Sequence, residues 1–257
     1  MGVKEIIFSP TGGTLRVSQI IAGQWEDNSQ IIDLSNAETD FSKVIIEKDD
    51  LVLIAMPVYG SRPPAVAIER LKQIDGNGAR CILVCVYGNG DYGDTISEMN
   101  GAAKESDFQV IAAIAAIAQH SIISEYAVGR PDETDCNQLT DFAGQIIDKT
   151  SPFICSHKTQ HINESDDVES KPQAPAEPPL PKVDETCVKC GLCERTCPVQ
   201  AITPEDFISD VEKCIFCMRC IKQCPNESRK VNEDVLLQAA LALKDTCSLR
   251  KENELFI

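Results

Sequence analysis

The chain has 257 residues, 43% of them hydrophobic, with a formal charge of −16, enough to bury one substantial core and a smaller one. So acidic a chain is a poor general nucleic-acid binder, which needs cations against phosphate. No apolar run reaches bilayer-spanning length, and thirteen cysteines behind a start that reads as a strand, not a signal peptide, suggest a reducing, oxygen-poor cytoplasm.

Residues 3–8 read as a strand and about 14–22 as a helix. A short second strand falls at 30–34. Residues 51–56, 80–87 and 110–118 are apolar runs of the kind found in strands covered on both faces. Helical stretches lie at about 64–73, 94–105 and 132–147. Strands alternating with helices over 1–149 predict an α/β fold built on a doubly wound parallel sheet. Ligands of such sheets sit at the carboxyl ends of the strands.

The loop after the first strand is Ser9-Pro10-Thr11-Gly12-Gly13-Thr14. Helix-opening amides and three hydroxyls make an anion pocket without a lysine, whereas a nucleoside triphosphate loop would require G-x4-G-K-[ST]. The loop resembles the phosphate loop of flavodoxins, which holds the monoester phosphate of FMN, with Gly13 standing where asparagine is usual. Two further loops, Pro57-Val58-Tyr59-Gly60-Ser61-Arg62 and Tyr87-Gly88-Asn89-Gly90-Asp91-Tyr92-Gly93, stand where flavodoxins flank the isoalloxazine ring. Tyr59 and Tyr92 are the candidates for stacking on it. Arg62 faces either the flavin or Glu69; His120, after the fifth strand, reaches the flavin edge or is structural. Gly88, Gly90 and Gly93 also spell G-x-G-x-x-G, but they do not follow the first strand and no acid ends the next one, so a nicotinamide site is set aside.

Residues 150–183 are proline-rich and acidic, an extended linker. Cys155, His157 and His161 lie within it; a metal held by these three is less expected than loose surface residues. Cys81 and Cys85 are expected in the core.

Two runs then repeat at a displacement of 27 residues: Cys187-x2-Cys190-x2-Cys193-x3-Cys197-Pro198 and Cys214-x2-Cys217-x2-Cys220-x3-Cys224-Pro225. The x2 intervals bring three thiolates onto three irons of one cube. The fourth cysteine precedes a proline that turns the chain away and reaches the other cube. Cys187, Cys190, Cys193 and Cys224 would hold one 4Fe–4S cluster; Cys214, Cys217, Cys220 and Cys197 the other. Zinc sites also use C-x2-C pairs, but seldom four cysteines so close, repeated with Cys-Pro ends. A closing helix is predicted at about 233–244, capped by Asn232.

Together the chain resembles a flavodoxin–ferredoxin fusion. The resemblance implies a flavodoxin-like sheet of order 2-1-3-4-5 over 1–149, a small α+β two-cluster ferredoxin domain over 184–230, and a helix and tail over 231–257. It implies FMN and two 4Fe–4S clusters as cofactors, and electron transfer to or from a redox partner protein. A flavin-dependent reductase of a small molecule and an iron–sulfur redox sensor are the rival readings. No nucleic-acid or membrane partner is expected; a homodimer is compatible with the sequence.

Overall fold

The computed structural model describes residues 2–150 and 177–257. The apolar runs become the middle of a sheet: β1 (Val3–Ile7), β3 (Leu51–Pro57), β4 (Arg80–Tyr87) and β5 (Gln109–Ile117), with β2 (Gln30–Asp33) at one edge. These five are parallel and ordered β2-β1-β3-β4-β5, the flavodoxin strand order. Parallel neighbours require crossovers, supplied here by α1 (Gly13–Ala22), α2 (Ala65–Leu71) and α3 (Thr95–Glu105). α4 (Glu133–Thr150) follows β5.

The helices divide between the two faces. Val17, Ile21, Leu139 and Ile146 of α1 and α4 pack with Ile7, Leu53 and Val84 on one side. Leu71, Met99 and Ala103 of α2 and α3 pack with Phe8, Ile54 and Leu83 on the other. Residues 51–56 are therefore all buried, which explains their lack of polar alternation. Cys81 and Cys85 are core residues, both fully buried.

The sheet is not wholly parallel. A sixth strand, β8 (Glu254–Phe256), pairs antiparallel with β5 at the far edge, where the sequence suggested only a tail. Three residues are too few to show a strand period, and distant side chains hold this one in place. The Asn253 side chain accepts from the amide of Ile117 at 2.9 Å and donates to Gln138 at 2.8 Å. Beneath it, Arg130 and Asp135 form a buried ion pair, and Arg130 also donates to the carbonyl of Lys251 at 2.8 Å.

The cysteine-rich segment carries a two-stranded ladder, β6 (Lys182–Val183) with β7 (Arg229–Lys230), and two one-turn helices, α5 (Leu192–Arg195) and α6 (Arg219–Lys222). β6 lies at the end of the stretch expected to be linker, and the carbonyl of Pro181 accepts from Ser209 at 2.7 Å. The packing of this segment thus begins before residue 184. Residues 151–176 of that linker, with Cys155, His157 and His161, lie outside the described residues. α7 (Glu233–Cys247) follows. Asn232 caps it by accepting from the amide of Asp234 at 2.8 Å, and Val235, Ala240 and Cys247 are its buried face.

The segment packs against the α/β domain. Ile215 lies on the core beside Val58 and Tyr59. Met218, Val231 and Val235 form a small core with Ile122. Tyr126 donates to the carbonyl of Ala240 at 2.7 Å.

Candidate cofactor sites

A cavity opens at the carboxyl ends of β1, β3, β4 and β5, where ligands of such sheets sit. Pro10, Thr11, Gly13 and Thr14 line it from the first loop; Pro57, Val58 and Tyr59 from the second; Tyr87 and Gly88 from the third. Gly12 adopts φ 94°, a left-handed conformation that favours glycine. The chain can thus turn directly into α1, leaving the first-turn amides of Gly13 and Thr14 without intrahelical acceptors. Ser9 braces the loop, its hydroxyl accepting from the amide of Leu15 at 2.9 Å.

Tyr59 opens a tight turn closed by paired bonds with Arg62, at 2.8 and 3.3 Å. It is half-buried, and burial, then the nearby Cys217, raises its phenol well above the ordinary value. His120 also lines the cavity. Its Nδ1 accepts from the amides of Ile122 and Ile123 at 3.2 and 3.1 Å, so the neutral ring carries its proton on Nε2. Burial lowers its pKa. The ring fits because residue 88 is glycine: a Cβ there would stand 2.5 Å from it.

Other expected residues stay away from this cavity. Asn89 is buried and donates to the carbonyls of Cys247 and Leu249 at 2.7 and 2.8 Å. Tyr92 packs edge-on against Tyr87, with ring centroids 5.3 Å apart, and donates to Glu254 at 3.2 Å. The returning C-terminal segment therefore occupies the loop after β4, and Asn89, Gly90, Asp91, Tyr92 and Gly93 are not among the lining residues; nor are Ser9, Gly12 and Gly60. Arg62 pairs with neither the cavity nor Glu69 but with Glu98, at 2.5 Å. Gln119 and Ser121 line the cavity and were not anticipated; their only signal is their position after the fifth strand.

The cysteine runs surround two further cavities. One is lined by Cys187, Cys190, Cys193 and Cys224, the other by Cys197, Cys214, Cys217 and Cys220. The backbone repeats at the same displacement of 27 as the sequence. Left-handed residues recur in pairs: Lys189 and Phe216, Gly191 and Met218, Gln200 and Glu227. The amides of Ala201 and Ser228 each donate to a cysteine sulfur at 3.3 Å, Cys197 and Cys224 respectively.

These cavities suit a polynuclear thiolate-bound group. Four cysteines line each of them, three from one run and the fourth from the other. Burial pushes the Cys217 thiol up to about 12. Buried polar atoms without partners also gather here: Nε of Arg219, Nε of Arg229 and Oε1 of Gln223. Arg219 lines one cavity and Arg229 the other.

Parts of the chain are similar to known proteins. Residues 180–225 match the family model described as a 4Fe-4S dicluster domain. Over 65 residues the chain is 36% identical to polyferredoxin protein MvhB of Methanothermus fervidus, a match covering 23% of this chain and 15% of that protein. Among solved structures, the Streptococcus pneumonia TIGR4 flavodoxin is similar at 16% identity and a TM-score of 0.41, covering 58% of this chain and 99% of that one. Flavodoxin 1 of Bacillus cereus is similar at 15% identity and a TM-score of 0.43, covering 59% and 100%. The chain joins an α/β domain with the flavodoxin strand order to a segment that matches a 4Fe-4S dicluster model, and it spans only a small part of the curated relative's length. No described helix is long and apolar enough to cross a membrane.

Proposed function

We propose that this chain binds FMN in the α/β cavity and a 4Fe–4S cluster in each cysteine-lined cavity, and relays electrons between the flavin and a redox partner protein. When bound, the flavin would exchange electrons singly or in pairs, and the clusters singly. The observation that carries the reading is the grouping of eight cysteines, three of one run with the fourth of the other, around two cavities, with a third cavity at the carboxyl ends of the parallel strands.

The protein's own groups have separable tasks. Thr11, Gly13 and Thr14 would hold the phosphate through hydroxyls and first-turn amides. Tyr59 would cover the ring, and His120 would offer its Nε2 proton to the ligand's polar edge. Ile215, which lines the cavity of Cys197, Cys214, Cys217 and Cys220, packs on the α/β core, so that cavity is the one next to the flavin. The other holds the exposed Cys190, beside Val188 at 65% exposure; it is the side from which a partner would be met.

Anaerobic reconstitution should yield one FMN and two clusters' worth of iron and acid-labile sulfide per chain. Thr14→Val should weaken FMN binding about tenfold or more while leaving riboflavin, which lacks the phosphate, unaffected. A colourless protein, or one that holds zinc and no sulfide, would overturn the reading.

A further inference from the structure

Resting on the two-cluster reading above, we propose that Arg229 is the shared counter-cation of both cysteine-lined cavities, raising the reduction potentials of the two clusters together. Among the described residues Arg229 is the largest fully buried side chain, at 2% exposure. It occupies β7, opposite Val183, where the chain leaves the second cysteine run. One Nη donates to the carbonyl of Phe207 at 2.8 Å and lies 3.8 Å from Cys193 Sγ. The other donates to the carbonyl of Pro181 at 3.2 Å and to the hydroxyl of Ser209. Phe207 and Cys193 line one cysteine cavity, Pro181 and Ser209 the other, so the guanidinium stands between the two.

All of these oxygen partners are neutral. Among the described residues no carboxylate forms an ion pair with Arg229, and its Nε is buried without a partner. A buried guanidinium without an anion is costly by several kcal/mol. The two cavities supply the missing charge, since a cluster with its four thiolates carries roughly −2 when oxidised and one more negative charge when reduced. A cation between them favours the reduced form of each.

The internal repeat isolates the feature. Displaced by 27 residues, the position of Arg229 corresponds to Ile202, an apolar residue at 7% exposure. An aliphatic side chain therefore fills the equivalent place in the other half. The guanidinium breaks this symmetry at a point between the two cysteine cavities.

The test is an EPR-monitored redox titration of the anaerobically purified holoprotein, with iron and sulfide assayed beside it. In Arg229→Gln with full iron and sulfide, the reduced-to-oxidised ratio of both clusters at a fixed potential should fall about tenfold, a shift of about 59 mV each. Unchanged potentials, or a shift confined to one cluster, would overturn the proposal while leaving the two-cluster reading intact. Should Arg229→Gln lose its clusters, Arg229→Lys, which keeps the charge, decides. Full clusters with both ratios held within a few-fold of wild type support the proposal. A tenfold fall despite the retained charge, or a failure to assemble, overturns it. Absence of iron and sulfide from the wild-type protein would instead overturn the reading beneath it.

Discussion

Arg70 on α2 donates to the carbonyl of Pro198, in the turn that follows Cys197, over 2.6 Å. Its other Nη donates to the carbonyl of Leu34, also at 2.6 Å, and its guanidinium lies over the ring of Phe41. One arginine thus joins the flavodoxin-like domain to the loop carrying the crossing cysteine of the inner cavity. Arg70→Ala should lower the stability of the holoprotein by about 1.5–3 kcal/mol and slow electron exchange between flavin and clusters after photoreduction. Urea unfolding without oxygen, paired with flash kinetics, checks both. Wild-type stability and rates would show that this contact does not hold the modules together.

The crossed arrangement of cysteines makes an asymmetric prediction. Cys197→Ser should disturb the cluster of the second run, held by Cys214, Cys217 and Cys220, and Cys224→Ser the cluster of the first. Each variant should retain one cluster with a normal EPR spectrum. If each serine disturbs the cluster of its own run, the ligand sets are local rather than crossed.

His120 gives a pH dependence whose sign follows from burial. Its folded pKa lies below the ordinary 6.5, so the folded protein resists a proton that the unfolded chain accepts. That contribution to stability is fully present above about pH 6.5 and is lost as the pH falls from there toward the folded pKa. Protonation at Nδ1 also removes the acceptor for Ile122 and Ile123. Between pH 7.5 and 5.5 the anaerobic urea midpoint of the wild type should fall further than that of His120→Gln. Parallel curves would remove His120 as the titrating group.

Asp135 is fully buried and paired with Arg130, and it also accepts from Asn253 at 3.1 Å and from Arg250 at 3.4 Å. Asp135→Ala leaves Arg130 buried without its anion, which should cost about 3–5 kcal/mol. The strand held above it, β8, should then exchange its amide hydrogens faster. Hydrogen-exchange mass spectrometry reads this directly, and unchanged protection of residues 254–256 would contradict it.

Much of this molecule is written locally. The cysteine spacing and its 27-residue repeat sit within short stretches, and apolar runs such as 51–56 report burial on two faces wherever they occur. The alternation of strands and helices therefore exposes a doubly wound parallel sheet, whose order only the resemblance to flavodoxins implied, and the loops after β1 and β3 could be found before their geometry was known. Other features arise from residues that meet only in three dimensions. Asn89 and Cys247 are 158 residues apart in sequence, and their contact draws Asn89 to Gly93 away from the cavity for which their pattern suited them. β8 is three residues long and becomes a strand only because β5 presents a free edge. The same holds for Arg229, an ordinary basic residue in the sequence, whose burial between two sets of sulfurs depends on the chain folding back on its own repeat. Ligand spacing and apolar periodicity are properties of neighbours along the chain, whereas the surroundings of a charge are decided by packing.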